Sequence, residues 1–370
     1  MQVIALHVIA VVGGLAVVGL TAVSAIRTVV VPRGIPSLLA GSVFLGVRLI
    51  FRVLAGRSPS YERQDRVAAL YAPIALLVLP VVWLTFVLVG YMCIYWGLYA
   101  GSLHHAFSLS GSALFTLGST SSHSLPIQAL GFAEAGGGIG LLALLISYLP
   151  SLYATFSKRE AAVALLEVRA GSPYPSGEEM LRRYHAIAWQ GGLTQVWLDW
   201  EGWFVELEES HTSNSALAFF RSPTPERSWI TAAGAVLDGA SLACSVLPEH
   251  SPETELCIRA GYIALRRVAA FFGIPFDADP PPDDPISVTR AEFDAAYDRL
   301  AAAGLPLRAD RGQAWHDFAG WRVNYDQVLI SLCGLVTAPP APWSGDRAKP
   351  YRALSRLGGL RRRLGPRIAT

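Results

Sequence analysis

Long apolar stretches dominate the first part of the chain. Residues 3–25, 70–98 and 129–156 are each at least as long as the roughly 20 apolar residues that a helix needs to cross a bilayer. The 91 residues from 67 to 157 contain a single formal charge, Glu134. Because a soluble domain needs a charged exterior, the pattern predicts a membrane unit over residues 67–157.

The first apolar stretch predicts an N-terminal transmembrane helix within residues 1–33. Val23-Ser24-Ala25 is similar to a signal-peptide cleavage site, so a cleaved signal peptide is the alternative. No Lys or Arg precedes the apolar stretch, whereas Arg27 and Arg33 follow it. Basic residues favour the cytoplasmic side of a membrane, so we expect an uncleaved helix whose N-terminus lies outside.

Residues 34–66 combine apolar and basic positions. An apolar helix is predicted over residues 36–55, and it carries Arg48 and Arg52 one turn apart. More arginines follow it, so we expect a basic helix at the cytoplasmic interface whose side chains reach lipid headgroups. A further membrane span is the alternative. It would place every later segment on the opposite side of the membrane.

A shorter apolar segment separates the two spans of the membrane unit. Residues 103–115 predict a helix too short to cross a bilayer, and Thr116-Leu117-Gly118 follow it directly. This arrangement resembles the pore unit of potassium channels, in which an outer helix, a pore helix, a filter loop and an inner helix follow one another. The resemblance implies an outer helix over 70–98, a pore helix and filter over 103–120, and an inner helix over 129–156.

In potassium channels the filter has a sequence of the T-V-G-Y-G kind, and its backbone carbonyls replace the hydration shell of the ion. The resemblance implies a passive channel for monovalent cations, built as a homotetramer. The implied filter consists of Thr116, Leu117, Gly118, Ser119 and Thr120. Ser119 and Thr120 stand where the family has an aromatic residue and a second glycine, so we expect weak potassium selectivity. A non-conducting relative that acts as a membrane-anchored sensor or scaffold is the alternative.

The predicted inner helix carries the residues that suggest gating. Gly140 and Pro150 are the expected hinge, because a kinkable inner helix can close a pore. Gly136 and Gly140 form a G-x-x-x-G step, which equally predicts simple helix packing. Glu134 has two possible roles, attraction of cations at the outer mouth or pairing with a hydroxyl of the pore helix.

The remainder of the chain predicts a soluble α-helical domain over residues 158–336, with a net charge of −9. Helical periodicity predicts several helices, among them single runs over 160–168 and 311–335. We expect a core of tryptophans, namely Trp189, Trp197, Trp200, Trp203, Trp229, Trp315 and Trp321. The overall prediction is an all-α chain, a membrane helical unit with a re-entrant pore loop plus an α-helical cytosolic domain.

Residues 337–370 predict a basic, Pro- and Arg-rich tail with a net charge of +7. With the basic segment before the membrane unit, the tail is expected to bind anionic lipids at the inner face of the plasma membrane, with residues 158–370 in the cytoplasm. The four cysteines are widely spaced and predict neither a disulfide framework nor a metal site. The chain has no P-loop, H-E-x-x-H or G-x-S-x-G motif, so no enzyme, no cofactor and no nucleic-acid partner is predicted.

Overall fold

A computed structural model describes residues 2–31, 37–55, 61–99, 101–120, 124–189 and 191–349. These residues are predominantly helical and contain no strand, which confirms the all-α prediction. The chain divides into two compact units. The first unit comprises Met1–Lys158 and Glu209–Arg221, and the second comprises Arg159–Glu208 and Ser222–Thr370.

The first unit is built from long apolar helices. Its helices are α1 (Gln2–Val29), α2 (Leu38–Ala55), α3 (Tyr61–Ala69), α4 (Tyr71–Tyr99), α5 (Leu103–Leu114) and most of α6 (Leu125–Ala170).

Among the described residues of both units, four helices are long and apolar enough to cross a membrane, at Ile4–Val29, Tyr61–Tyr99, Leu125–Ala170 and Trp229–Val246. This make-up is that of a multi-pass membrane protein.

Glycines let α1 and α4 approach closely. A Cβ atom at Gly14 would lie 2.4 Å from the carbonyl oxygen of Gly90, and one at Gly97 would lie 2.6 Å from the carbonyl oxygen of His7. Small residues at such crossings allow backbones to come within contact of one another. These two contacts set α1 antiparallel to α4, with the start of α1 beside the end of α4.

Helix α2 packs against the first half of α4. Ala40 packs with Leu79 and Trp83, and Val47 packs with Tyr71. Near the start of α2, Ser37 Oγ lies 2.6 Å from Ser24 Oγ, which accepts a 3.2 Å hydrogen bond from Trp83 Nε1. Arg33, Arg57 and residues 350–370, which carry part of the predicted lipid contacts, lie outside the described residues.

Helix α6 runs on beyond the predicted end of the inner helix. The sequence predicts an inner helix over 129–156 and a separate helix over 160–168, but the structure has one helix, Leu125–Ala170. No proline or glycine interrupts residues 151–170, and the polar stretch from Lys158 to Glu160 contains good helix formers. The composition therefore changes from apolar to polar within one continuous helix.

The second unit is organised around one buried helix, α9. After the end of α6, the helices are α7 (Gly177–Ala186), α8 (Gly191–Ser213, whose last turn belongs to the first unit), α9 (Trp229–Val246), α10 (Pro252–Phe271), α11 (Arg290–Ala302), α12 (Arg311–Arg322) and α13 (Asp326–Val336). Every residue of α9 is buried. Its apolar composition is therefore explained by a central place in this unit.

A fully buried arginine ties α9 to α12 and α13. Arg322 pairs with Asp238 of α9 and with Asp326, and it also donates to the carbonyl of Trp343. The single helix predicted over 311–335 is therefore wrong, because the chain turns at residues 323–325. Asn324 there donates its side-chain amide to helix carbonyls, which competes with continued helix.

Three further domain-level predictions need correction. Trp189 is 55% exposed and lies outside the core, because the chain leaves α7 just before it and its ring stacks on Tyr184 at 5.7 Å. Residues 337–349, predicted as tail, carry the buried residues Ala338, Ala341 and Ser344. Residues 209–221, predicted as part of the soluble domain, belong to the first unit, because their apolar side chains are buried there.

Candidate pore loop

Helix α5 returns along α4 from the end at which α4 stops. Ser102 caps α5 by accepting a 3.2 Å hydrogen bond from the backbone N–H of His105. Farther along, Leu109 packs with Tyr95, and Ser110 Oγ lies 3.0 Å from the carbonyl oxygen of Leu88. The helix thus lies beside the second half of α4, and its extent agrees with the short helix predicted over residues 103–115.

A buried polar cluster joins three helices behind the loop. Glu134 of α6 has no solvent exposure. Its Oε1 lies 2.5 Å from Ser110 Oγ of α5, and its Oε2 accepts a 2.9 Å hydrogen bond from the hydroxyl of Tyr95 on α4. Of the two roles left open by the sequence, the structure therefore has Glu134 paired with a hydroxyl of the short helix. A carboxylate buried without such partners would cost several kcal/mol.

Gly138 determines how closely α6 approaches the end of α5. A Cβ atom at this position would lie 2.9 Å from the carbonyl oxygen of Leu114 and 2.8 Å from its Cδ1. By contrast, among the described residues, a Cβ at Gly136 or Gly140 would meet no atom outside its own helix backbone within 4 Å. Within the described part of the chain, the close-packing glycine is therefore Gly138, and the predicted G-x-x-x-G pair lies against no other helix.

The residues after α5 are fastened to the end of that helix. The backbone N–H of Leu117 donates to the carbonyl of Ser112 at 2.9 Å, and the N–H of Thr120 donates to Ser112 Oγ at 3.0 Å. The N–H of Thr116 donates to the carbonyl of Ala113 at 3.0 Å. These bonds hold the five predicted filter residues, 116–120, as one turn over the end of α5.

Two of these residues have left-handed backbone conformations. Gly118 has φ 64°, and Thr116 has φ 54°, whereas Leu117 between them does not have a positive φ. A positive φ in a β-branched residue is a genuine outlier, and such strain costs on the order of 1–3 kcal/mol. The side chain of Leu117 is 68% exposed, and the space around Gly118 is open. The strain is therefore held by hydrogen bonds to α5, and the turn faces away from the packed interior.

The predicted hinge residues lie on the outward face of α6. The helix continues through both Gly140 and Pro150, and both positions are exposed. Large apolar side chains recur on the same helix at intervals of seven residues and are each more than half exposed, at Leu125, Phe132, Ile139, Ile146 and Tyr153. A lipid or another protein surface is the expected neighbour of such a face.

Sequence reasoning offered a hydroxyl of the short helix as one partner of Glu134, but it did not single out Ser110 or Tyr95, and it missed the role of Gly138. The partners Tyr95 and Ser110 lie 39 and 24 residues away in the chain. A single carboxylate in a long apolar stretch is the one sequence signal that points to such a cluster. Comparison with known proteins returned no match: no family model fits the chain, and neither a curated protein nor a solved structure was found to be similar.

Proposed function

We propose that this protein is a channel for monovalent cations, in which four copies of the chain surround one pore. The single observation that carries the proposal is the exposed, strained turn at the end of α5. The residues proposed to line the filter are Thr116, Leu117, Gly118, Ser119 and Thr120. Resident cofactors and enzymatic chemistry form no part of the proposal.

The depth of the turn supports a pore. Gly138, which meets the end of α5, lies 13 residues beyond the start of α6 at Leu125. At ~1.5 Å per residue this corresponds to about 20 Å, well inside a hydrocarbon core of about 30 Å. In the proposed arrangement the start of α6 lies at the outer surface of the membrane, so the turn at residues 116–120 would belong to a re-entrant loop. Non-helical backbone at such depth is tolerated only where it is buried in protein or lines a water-filled cavity.

Assembly around an axis satisfies this requirement. In a single chain Phe115 and Leu117 are more than half exposed. Four copies that bring these turns together would surround them with protein and a central water-filled path. The exposed apolar face of α6 would supply part of the contact between copies. The left-handed residues Thr116 and Gly118 would direct carbonyls of the turn toward the path.

Flux through liposomes tests the proposal. The purified protein should pass potassium under a membrane potential, and Gly118→Ala should abolish the flux, because an alanine is strained at this positive φ. Gly111→Ala is the matched control, since a Cβ at Gly111 meets nothing within 4 Å and its φ is not in the strained range. Equal flux in the two variants would contradict the assignment of the filter. An assembled parent protein that carries no cations would support the non-conducting sensor or scaffold.

Selectivity follows from residues 119 and 120. Ser119 lacks the aromatic ring that props the filter of the resembled family, so discrimination between potassium and sodium should be weak. Reversal potentials in mixed potassium and sodium measure it, and strong potassium selectivity in the parent would contradict the reasoning. The double variant Ser119→Tyr with Thr120→Gly should raise selectivity if the surrounding helix can support the family's filter.

The proposed orientation has the N-terminus and the loop at 100–130 outside and residues 158–370 in the cytoplasm. It rests on the arginines between residues 27 and 66 and on Lys158 and Arg159. Single cysteines introduced at Ser122 and Ser176 can be labelled with a membrane-impermeant reagent in intact cells. Labelling at Ser122 alone is expected, and labelling of Ser176 from outside would refute this orientation.

A further inference from the structure

Residues 209–221 form an unusual excursion of the chain. They comprise the last turn of α8, which ends at Ser213, and a 3₁₀ helix at Ser215–Phe219. The residues on both sides belong to the second unit, whereas this segment belongs to the first. We call it the clamp segment. Both of its ends continue directly into the second unit, so the chain itself connects that unit to the segment.

The clamp segment packs on α4 and α6 together. Leu217 is 1% exposed, and it forms one apolar cluster with Leu76 of α4 and Leu152 of α6. The ring of Phe219 meets Tyr71 edge-on, with ring centroids 5.6 Å apart. One short piece of chain therefore holds the outer and inner helices to each other at this level.

Polar contacts hold the middle and the end of the clamp segment. In the middle Asn214 Oδ1 accepts a 3.1 Å hydrogen bond from the hydroxyl of Tyr148 on α6. At the end Arg221 pairs with Asp65 of α3 at 2.7 Å and contacts the hydroxyl of Tyr61 at 3.2 Å. The side chains of this ion pair are 14% and 10% exposed. A pair so far removed from water depends on both partners, since removal of one leaves the other uncompensated.

The clamp segment holds α6 on both sides of its proline. Tyr148 and Leu152 flank Pro150, and both contact the clamp segment. Proline removes one backbone hydrogen bond of the helix and weakens it locally. The segment therefore contacts α6 on both sides of a position where the helix has lost a backbone hydrogen bond and bends more easily.

We infer that residues 209–221 couple the second unit to the pore by holding the lower part of α6 against α4. This inference rests on the proposed channel function. The clamp segment contacts one side of α6, through Tyr148 and Leu152. The exposed face of α6, with Ile146, Pro150 and Tyr153, lies on the other side. While the clamp segment is attached, the inner helices stay apart and the pore stays open. Release of the segment lets these helices approach one another and lowers cation flux.

Two measurements on the full-length protein test the coupling. Hydrogen exchange of residues 144–158 reports attachment of the clamp segment without any need for conduction, and potassium flux in liposomes reports the pore. Tyr148→Phe should speed exchange in this stretch by about five- to tenfold, the effect of losing one hydrogen bond. Arg221→Ala also leaves Asp65 uncompensated and should speed exchange more. Both variants should also lower flux. Tyr148→Phe retains the aromatic ring, so it keeps the test valid if Arg221→Ala folds poorly.

The controls separate the clamp segment from general effects of lost charge. Arg182→Ala removes an arginine from an exposed ion pair of the second unit, where side-chain exposures are 50% and 24%, and it should change neither readout. The double variant Asp65→Ala with Arg221→Ala should be less disturbed than Arg221→Ala alone, because it leaves no uncompensated carboxylate.

The outcomes distinguish the two proposals. A parent that carries no cations refutes the channel function, and with it the coupling. A conducting parent whose exchange and flux are unchanged in both variants refutes the coupling and leaves the channel intact. Faster exchange with unchanged flux shows attachment without coupling, which also overturns the inference.

Discussion

Replacing Gly138 by alanine should loosen the junction between α6 and the end of α5. The added Cβ would lie 2.9 Å from a backbone oxygen, that of Leu114. Real Cβ contacts are not this short, and a backbone atom cannot swing aside as the end of a side chain can. The end of α5 must therefore move, and it carries the turn at residues 116–120.

The magnitude can be isolated by comparison with Gly136→Ala. Both variants exchange glycine for alanine inside the same helix, so both gain about 1 kcal/mol of helix propensity. Only Gly138→Ala adds the overpacking, which typically costs about 1–3 kcal/mol. A Cβ at Gly136 meets nothing within 4 Å. The difference in unfolding free energy between the two variants should thus be about 1–3 kcal/mol, with Gly138→Ala less stable.

Thermal unfolding in detergent, followed by near-ultraviolet circular dichroism, measures this difference. For a unit of this size, 1 kcal/mol corresponds to about 2–4 °C, so Gly138→Ala should melt about 2–12 °C below Gly136→Ala. In liposomes, Gly138→Ala should also carry less potassium than Gly136→Ala, because the displaced helix end reorients the turn. Equal melting temperatures would refute the reasoning that Gly138 is required for close approach.

Three further predictions concern polar groups. Glu134→Ala removes the acceptor of two buried hydroxyls and should lower the unfolding free energy by about 2–3 kcal/mol. Glu134→Gln keeps an acceptor, so it should lower the unfolding free energy less. Equal losses of the two variants in thermal unfolding would contradict this. Arg322→Ala strands two buried carboxylates and should cost about 3–5 kcal/mol in chemical denaturation, and a loss under 1 kcal/mol would show that the carboxylates find other partners. Burial raises the pKa of Glu292, but hydrogen bonds from Thr289 and the charge of Arg347 outweigh burial and bring the pKa below its usual 4.5. The stabilisation is therefore complete above about pH 4.5 and is lost as the pH falls through the lowered pKa, so Glu292→Gln should reduce the acid sensitivity of unfolding, and an unchanged acid profile would contradict it.

Local pattern was sufficient to predict most helices of the first unit. The outer helix predicted over 70–98 is found at Tyr71–Tyr99, and the short helix predicted over 103–115 is found at Leu103–Leu114. Helix limits depend on nearby residues, on the length of the apolar run and on capping groups such as Ser102, so they can be read from the sequence. The spacing Thr289-x-x-Glu292 is likewise a local signal for a helix start, and the structure has a capping box there.

The predicted limits failed where composition changed without a helix breaker. The charged residues after Ser157 indicated an end to the inner helix, yet α6 continues to Ala170. Apolar side chains are favoured in lipid and polar side chains in water, but the backbone hydrogen bonds of a helix lie within the helix and form in both surroundings. Conversely, the helical periodicity over 311–335 shows no break at residue 324, whereas the structure has a turn there. Arg322 and Tyr325, on the two sides of that turn, both contact Asp238 of α9.

Only the tertiary structure decided which residues meet across the chain. It selected Gly138 among three consecutive glycines, paired Glu134 with Ser110 and Tyr95, and assigned residues 209–221 to the first unit. Each of these outcomes depends on residues between 24 and 160 positions apart. The sequence by itself determined which segments are helical and apolar, because burial and hydrogen bonding within a helix depend on neighbours along the chain. Which faces come together depends on the packing of all helices at once, and one sequence carries no local signal for it.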